Sequence, residues 1–175
     1  DMTRFSEEWR PRTMRYKDRI FDELGFAYAD PNFFGLFDFK PIEGDLKTAL
    51  ARPNTLVITR SMAEKYFPQE NPIGKSLNFN NTKEYEVTAV MEDVPGNSHF
   101  TFNFLTSHYS LEDYAQSEQE EAWNNPNYTT WLLLQPNTDP AALMQKIENW
   151  MYPPEENTTE RSLHLPIEPI SAAHF

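Results

Sequence analysis

The sequence predicts an α+β fold, with mixed small sheets and a few short helices. Three observations carry this. Short runs of β-branched and aromatic residues recur along the chain, several alternating apolar with polar at period two. Two segments carry strong helix-start signals, and strands flank both of them. Fourteen prolines against five glycines imply many short elements joined by stiff connections.

Taken in order, Asp1 to Lys17 is polar and charged and reads as a ragged terminus. Phe26-Ala27-Tyr28-Ala29 reads as a short strand that stops at the turn signal Asp30-Pro31-Asn32. Phe33 to Phe37 reads as a buried turn of helix, and Pro41 to Asp45 as a loop. Thr55 to Thr59 is a buried strand. Ser61-Met62-Ala63-Glu64 has the form of a capping box and opens a short helix, with Met62 and Tyr66, and Ala63 and Phe67, at i,i+4 spacing; Pro68 ends it. Ser76 to Phe79 and Tyr85 to Val94 are strands joined by the polar turn Asn80 to Lys83. Strict alternation puts Tyr85, Val87, Ala89 and Met91 on one face of the second. Pro95 to Ser98 breaks the chain before a half-buried strand through Phe100, Phe102 and Phe104. Glu112 to Glu121 is an acidic helix or loop, and Tyr128 to Leu134 another strand. Asp139-Pro140 opens a helix with Leu143, Ile147 and Trp150 or Met151 as its apolar stripe, stopped by Pro153-Pro154. Leu163 to Ile170 is a last, proline-bearing edge strand.

Composition bounds the function classes. At 175 residues, 39% hydrophobic and 14% aromatic, the chain can bury a core. Mean hydropathy is −0.69, and no apolar run approaches the roughly 20 residues that cross a bilayer. No signal peptide is visible, and both ends read as cut from a longer chain. The net charge of −12 argues against nucleic acid, since phosphate contacts need a basic patch. With no cysteine, disulfides, thiolate zinc sites and a cysteine nucleophile are excluded, and an oxidising compartment fits.

Chemistry is sparse. His99, His108, His164 and His174 are scattered, without i,i+4 metal spacing or an HExxH pattern. Ser98-His99 lacks a G-x-S-x-G elbow. Glu92 and Asp93, as neighbours at a strand end, point to opposite faces and read as a solvated terminus. Pro72-Ile73-Gly74-Lys75-Ser76 ends like a P-loop, but Gln69 stands where its first glycine belongs. Trp123, Trp131 and Trp150, with Tyr109, Tyr114 and Tyr128, read as core before they read as a sugar- or partner-binding surface. No catalytic, metal or cofactor-binding residue is assigned, and no cofactor is expected.

Four separated blocks carry a family likeness. They are Ala29 to Phe34 with Glu43-Gly44-Asp45; Thr55-Leu56-Val57-Ile58-Thr59-Arg60-Ser61-Met62-Ala63-Glu64-Lys65-Tyr66-Phe67-Pro68 with Asn71-Pro72-Ile73-Gly74-Lys75-Ser76-Leu77; Tyr85 to Phe100; and Leu165 to Phe175. In this order they resemble the MacB-like periplasmic core domain of FtsX/MacB-type ABC-transporter permeases. The resemblance implies an extracytoplasmic, non-catalytic domain between two transmembrane helices of an inner-membrane protein. It would couple transmembrane movement to substrate or partner handling in the periplasm. The implied partners are the transmembrane part of the same chain, a separate ATPase domain or subunit, a second permease copy and a periplasmic adaptor. It also implies a porter-like α/β part, residues 1–24 and 96–175, with a smaller inserted β-rich part, residues 25–95, containing one short helix. The alternative is a free-standing exported binding module for a sugar or peptide.

Overall fold

The computed structural model describes residues 1–111, 128–151 and 167–172. The chain divides into two compact units, Asp1–Leu133 and Leu134–Phe175. The expected acidic helix or loop at Glu112 to Glu121 lies outside the described residues, as does Leu163 to Pro166 of the expected last strand. Of that strand's remainder, Ile170–Ala172 is a 3-10 turn.

In the first unit the strands are β1 (Met2–Glu8), β2 (Arg12–Tyr16), β3 (Arg19–Glu23), β4 (Phe26–Ala29), β5 (Pro41–Gly44), β6 (Thr55–Thr59), β7 (Ser76–Phe79), β8 (Lys83–Met91), β9 (Phe104–Ser107) and β10 (Thr129–Leu132). They form one mixed sheet in the order β10-β1-β4-β9-β6-β8-β7-β2-β3, with β5 pairing the far end of β8 beyond β7. The α+β class therefore holds, with one large sheet in place of several small ones. Strands of the segment 25–95 and strands outside it share this sheet, β9 lying between β4 and β6 and the run β6-β8-β7 being flanked by β9 and β2. Among the described residues of this unit there are three α-helices: α1 (Phe33–Leu36), α2 (Leu46–Ala49) and α3 (Arg60–Tyr66). The second unit holds α4 (Pro140–Met151), started as expected by Asp139, whose Oδ1 accepts from the amide of Ala141 at 2.9 Å.

The central strands are buried on both faces. All five residues of β6 and all four of β9 are buried, as expected for strands with a layer above and below. On one face Phe5, Phe33, Phe34, Leu46, Leu50, Val57, Phe100, Phe102 and Leu105 pack beneath α1 and α2. Phe5 meets Phe100 edge-on at 5.0 Å and stacks on Phe33 at 5.6 Å. On the other face Met14, Phe26, Leu56, Ile58, Leu77, Tyr85 and Phe104 pack against Tyr66 of α3 and Phe67, which follows it. Each buried aromatic or aliphatic side chain contributes roughly 1.5–3 kcal/mol, so these two layers are what hold the unit together.

Several expectations from sequence are corrected. The ragged terminus is instead two strands and the start of a hairpin. Thr3 and Phe5, then Met14 and Tyr16, are the buried alternate positions; between them Arg4 is half-buried in a pair with Asp30 at 2.9 Å and Arg15 is exposed. Pro41 to Gly44 is a strand, because it completes the edge of β8 left free beyond β7. The strand through the phenylalanines begins only at Phe104; Phe100 and Phe102 are buried under one face, and Phe104 points to the other.

The single apolar face of β8 is broken by a bulge. Leu56 pairs with Val87, but Val57 pairs with Ala89, so Thr88 is the extra residue. An inserted residue inverts every side chain after it. Tyr85 and Val87 therefore face α3, whereas Ala89 and Met91 face α1 and α2. The Thr88 hydroxyl donates to Ala49 O at 2.9 Å, tying α2 to the bulge. Gly44 lies against it at φ +80°, where a Cβ would fall 2.4 Å from Thr88 O, so only glycine fits.

Candidate functional site at the start of the third helix

The parallel pairing of β6 and β8 places their C-terminal ends side by side, with Thr59 opposite Met91. The chain leaves β6 directly into α3 at Arg60 and leaves β8 at Glu92 and Asp93. Two carboxylates thus meet the first turn of a helix. Arg60 Nε donates to Glu92 Oε2 at 2.9 Å and its Nη2 to Glu92 Oε1 at 2.5 Å, a two-pronged pair. The Ser61 amide donates to Asp93 Oδ1 at 3.0 Å and its hydroxyl to Oδ2 at 2.6 Å. The bond with Arg60 holds the Glu92 carboxyl below its ordinary range and raises the guanidinium. Burial works to raise Asp93, but the bonds from Ser61 outweigh it and keep this carboxyl low.

This overturns two expectations. Glu92 and Asp93 stay accessible to solvent at the strand end, but they do not diverge: both turn onto α3. The Ser61–Glu64 capping box does not form either. The helix begins two residues earlier, with Thr59 instead of Ser61 at its cap position and no side-chain cap of its own, so the capping acceptor for the Ser61 amide comes from Asp93, 32 residues away.

At the other end of α3, Arg19 Nη1 donates to the carbonyls of Lys65 and Tyr66, both at 2.9 Å, satisfying the helix C-terminus. A cleft of about 280 Å³ opens there, lined by Tyr16, Lys17, Arg19, Tyr66, Gln69 and Glu70 among others. Glu70 is already engaged there: Lys17 Nζ lies 2.7 Å from its Oε1, and the Tyr16 hydroxyl donates to its Oε2 at 3.1 Å. Buried Glu23 accepts from the Tyr66 hydroxyl at 2.7 Å and pairs with Lys65 Nζ at 2.6 Å. Burial, reinforced by that carboxylate, pushes the Tyr66 hydroxyl far above its usual range.

The histidines do not converge. His108 is 1% exposed, stacked on Tyr28 at 6.2 Å and met edge-on by Tyr128 at 5.1 Å. Burial lowers its pKa to about 4, so it is neutral. His99 is exposed beside Trp131, at 6.4 Å. His164 and His174, with Tyr114 and Trp123, lie outside the described residues. Among the described residues no group of three His, Asp or Glu side chains is placed to hold a metal ion. The P-loop-like segment is a tight turn: Lys75 N donates to Pro72 O at 3.0 Å, with Gly74 at φ +75°. Trp131 packs on Phe37 and Phe100, whereas Tyr109 and Trp150 are 42% and 69% exposed. No helix among the described residues is long and apolar enough to cross a membrane.

Fold and site together define a mixed α+β domain in which Arg19, Arg60, Glu70, Glu92 and Asp93 are held by groups of the fold itself. Comparison with known proteins agrees with that class. The family model described as MacB-like periplasmic core domain matches residues 3–150. A domain of a putative permease protein from Porphyromonas gingivalis superposes with a TM-score of 0.67 at 22% identity, covering 86% of this chain and 69% of that one. The periplasmic region of MacB from Actinobacillus actinomycetemcomitans superposes at 0.60 with 14% identity, covering 86% of this chain and 65% of the other. No match was found among curated protein sequences. The chain belongs to the MacB-like periplasmic core domain family. Membership of that family makes it a periplasmic core domain.

Proposed function

We propose that this domain is a non-catalytic coupling element, carrying movement of the permease's transmembrane part outward as a rigid body. One observation carries the reading: a single ten-stranded sheet runs through Asp1–Leu133 with packed layers on both faces. Close-packed interiors transmit displacement and do not absorb it. The non-catalytic part rests on the carboxylates. Glu23, Glu70, Glu92 and Asp93 are each held by a cation, a hydroxyl or an amide of the fold. The partners that fit this role are the transmembrane part of the same chain and a separate ATPase domain or subunit. A second permease copy and a periplasmic adaptor complete the set.

The flanking gene sequence tests this reading. It predicts an apolar span of roughly 20 residues on each side of the domain, since coupling needs a membrane anchor at both ends. A cleavable signal before Asp1 and a stop codon soon after Phe175 would contradict it and favour an exported binding module.

A further inference from the structure

β1 pairs with β4 from Phe5 opposite Ala29 to Glu8 opposite Phe26, and β2 pairs with β3 from Arg12 opposite Glu23 to Tyr16 opposite Arg19. These ladders are two halves of one long hairpin. Between them Trp9, Arg10 and Pro11 stand against Leu24 and Gly25, and the extra residue makes a bulge and a bend. The bend sends the halves to different neighbours: β4 joins β9, whereas β2 joins β7. Because β9, β6, β8 and β7 lie edge to edge between those two points, the hairpin closes them into a barrel. Phe26 of β4 accordingly meets Phe79 of β7 at 4.5 Å and Tyr85 of β8 at 5.6 Å.

The closing segment, residues 9–24, is held differently from the strands it closes. The core clusters take only Met14 and Tyr16 from it, and at the bend Trp9 and Leu24 are 83% and 58% exposed. Its ladder with β7 is two pairs long, Met14 with Phe79 and Arg15 with Asn78. One further step extends this seam: Asn80 N donates to Thr13 O at 2.8 Å, and Thr13 N to Asn80 Oδ1 at 3.0 Å. The other ties are mostly polar and run to α3 and the turn after it. Arg19 holds the carbonyls of Lys65 and Tyr66, Glu23 holds Lys65 and the Tyr66 hydroxyl, and Lys17 and Tyr16 hold Glu70. The bend itself is pinned to the start of β9. Gly25 O accepts from the amides of Asn103 and Phe104 at 2.7 and 3.0 Å, and Asn103 Nδ2 donates to Leu24 O at 3.2 Å.

We infer that residues 9–24 are a strap, hinged at the bend, which unzips from β7 and α3 as one unit while the rest of the barrel stays folded. Segments with few buried apolar side chains and short ladders open at lower free energy than the strands around them. The β2–β3 ladder travels with the strap, because it lies wholly inside it. Opening uncovers Phe79 and the edge of β7, so the seam is where the barrel interior becomes reachable. The closed strap is the main form and the open one a minor state, so the unit still moves as one piece. This inference stands on the ladder geometry and holds whether or not the domain couples movement.

Amide hydrogen exchange, corrected for intrinsic rates, tests the strap. By the alternation of an antiparallel ladder, Thr13, Arg15, Asn78 and Asn80 carry the seam. Their amides are expected to exchange together, roughly tenfold or more faster than those of Val57 and Leu105 in the central strands. Glu70→Gln weakens the tie to Lys17 and is expected to speed the four seam amides about twofold to threefold, leaving Val57 and Leu105 unchanged. The chain has no native cysteine, so Arg15→Cys combined with Asn78→Cys gives one defined disulfide across the seam. Once oxidised, this variant is expected to slow Thr13 and Asn80 to the rate of the central strands. Seam amides that already exchange at the central-strand rate in the wild type would overturn the inference, a readout that does not depend on how either variant folds. So would a disulfide that leaves Thr13 and Asn80 unchanged, or a Glu70→Gln variant in which all these amides speed up alike.

Discussion

His108 sits where the fold leaves no room for its charged form. It is packed between Tyr28 and Tyr128, with Arg4 and Asp30 as the charged groups nearby. Its Nε2 is buried without a hydrogen-bond partner. The folded pKa is lowered from 6.5 to about 4, so the unfolded chain takes up the proton at a higher pH than the folded one. Stability from this residue is complete above the unfolded value and is lost as pH falls through the window between the two. The loss is on the order of 3 kcal/mol at most. Urea unfolding at a series of pH values should show this slope in the wild type, and His108→Gln should flatten it. An unchanged slope in the variant would show that other groups set the acid sensitivity.

At the scale of elements, α3 illustrates how a short helix is made by its neighbours. Seven residues with no cap of their own are marginal in isolation. The carboxylate of Asp93 supplies the missing acceptor, and Arg19 closes the other end. Asp93→Ala should therefore cost about 1 kcal/mol, the ordinary worth of a helix cap. Glu92→Gln, which weakens an exposed pair, should cost much less. Urea midpoints at constant slope would separate the two, and equal losses would contradict the capping role.

The same comparison explains what the sequence made legible. β6, β7 and the start of α4 follow from local signals: a β-branched run, an alternation bounded by a polar turn, and an Asp-Pro pair. Block order from Ala29 to Phe175 was enough to reach the family. What could not be read locally depends on partners far along the chain. The Ser61–Glu64 box was outcompeted by Asp93. The face of Ala89 and Met91 depends on a bulge that only the β6 register reveals. β2 and β3 carry too many charges to look like strands, because only one side of their hairpin meets the core. The contacts of Glu92 and Asp93 with the start of α3 depend on β6 and β8 running parallel, which brings two strand ends together.

For the whole molecule, one sheet with two packed faces implies that the unit Asp1–Leu133 moves as a piece. Local loosening would have to break buried aromatic contacts on at least one face, and such contacts are lost together in a close-packed interior. The central claim is therefore rigidity inside the domain during the transport cycle. Spin labels at Lys47→Cys and Glu84→Cys, both exposed positions within the unit, report it in the full permease with its ATPase. The label-to-label distance should be the same with ATP bound and after hydrolysis, while distances from either label to the membrane part change. A distance within the unit that shifts by several ångströms between nucleotide states would contradict the rigid-body account.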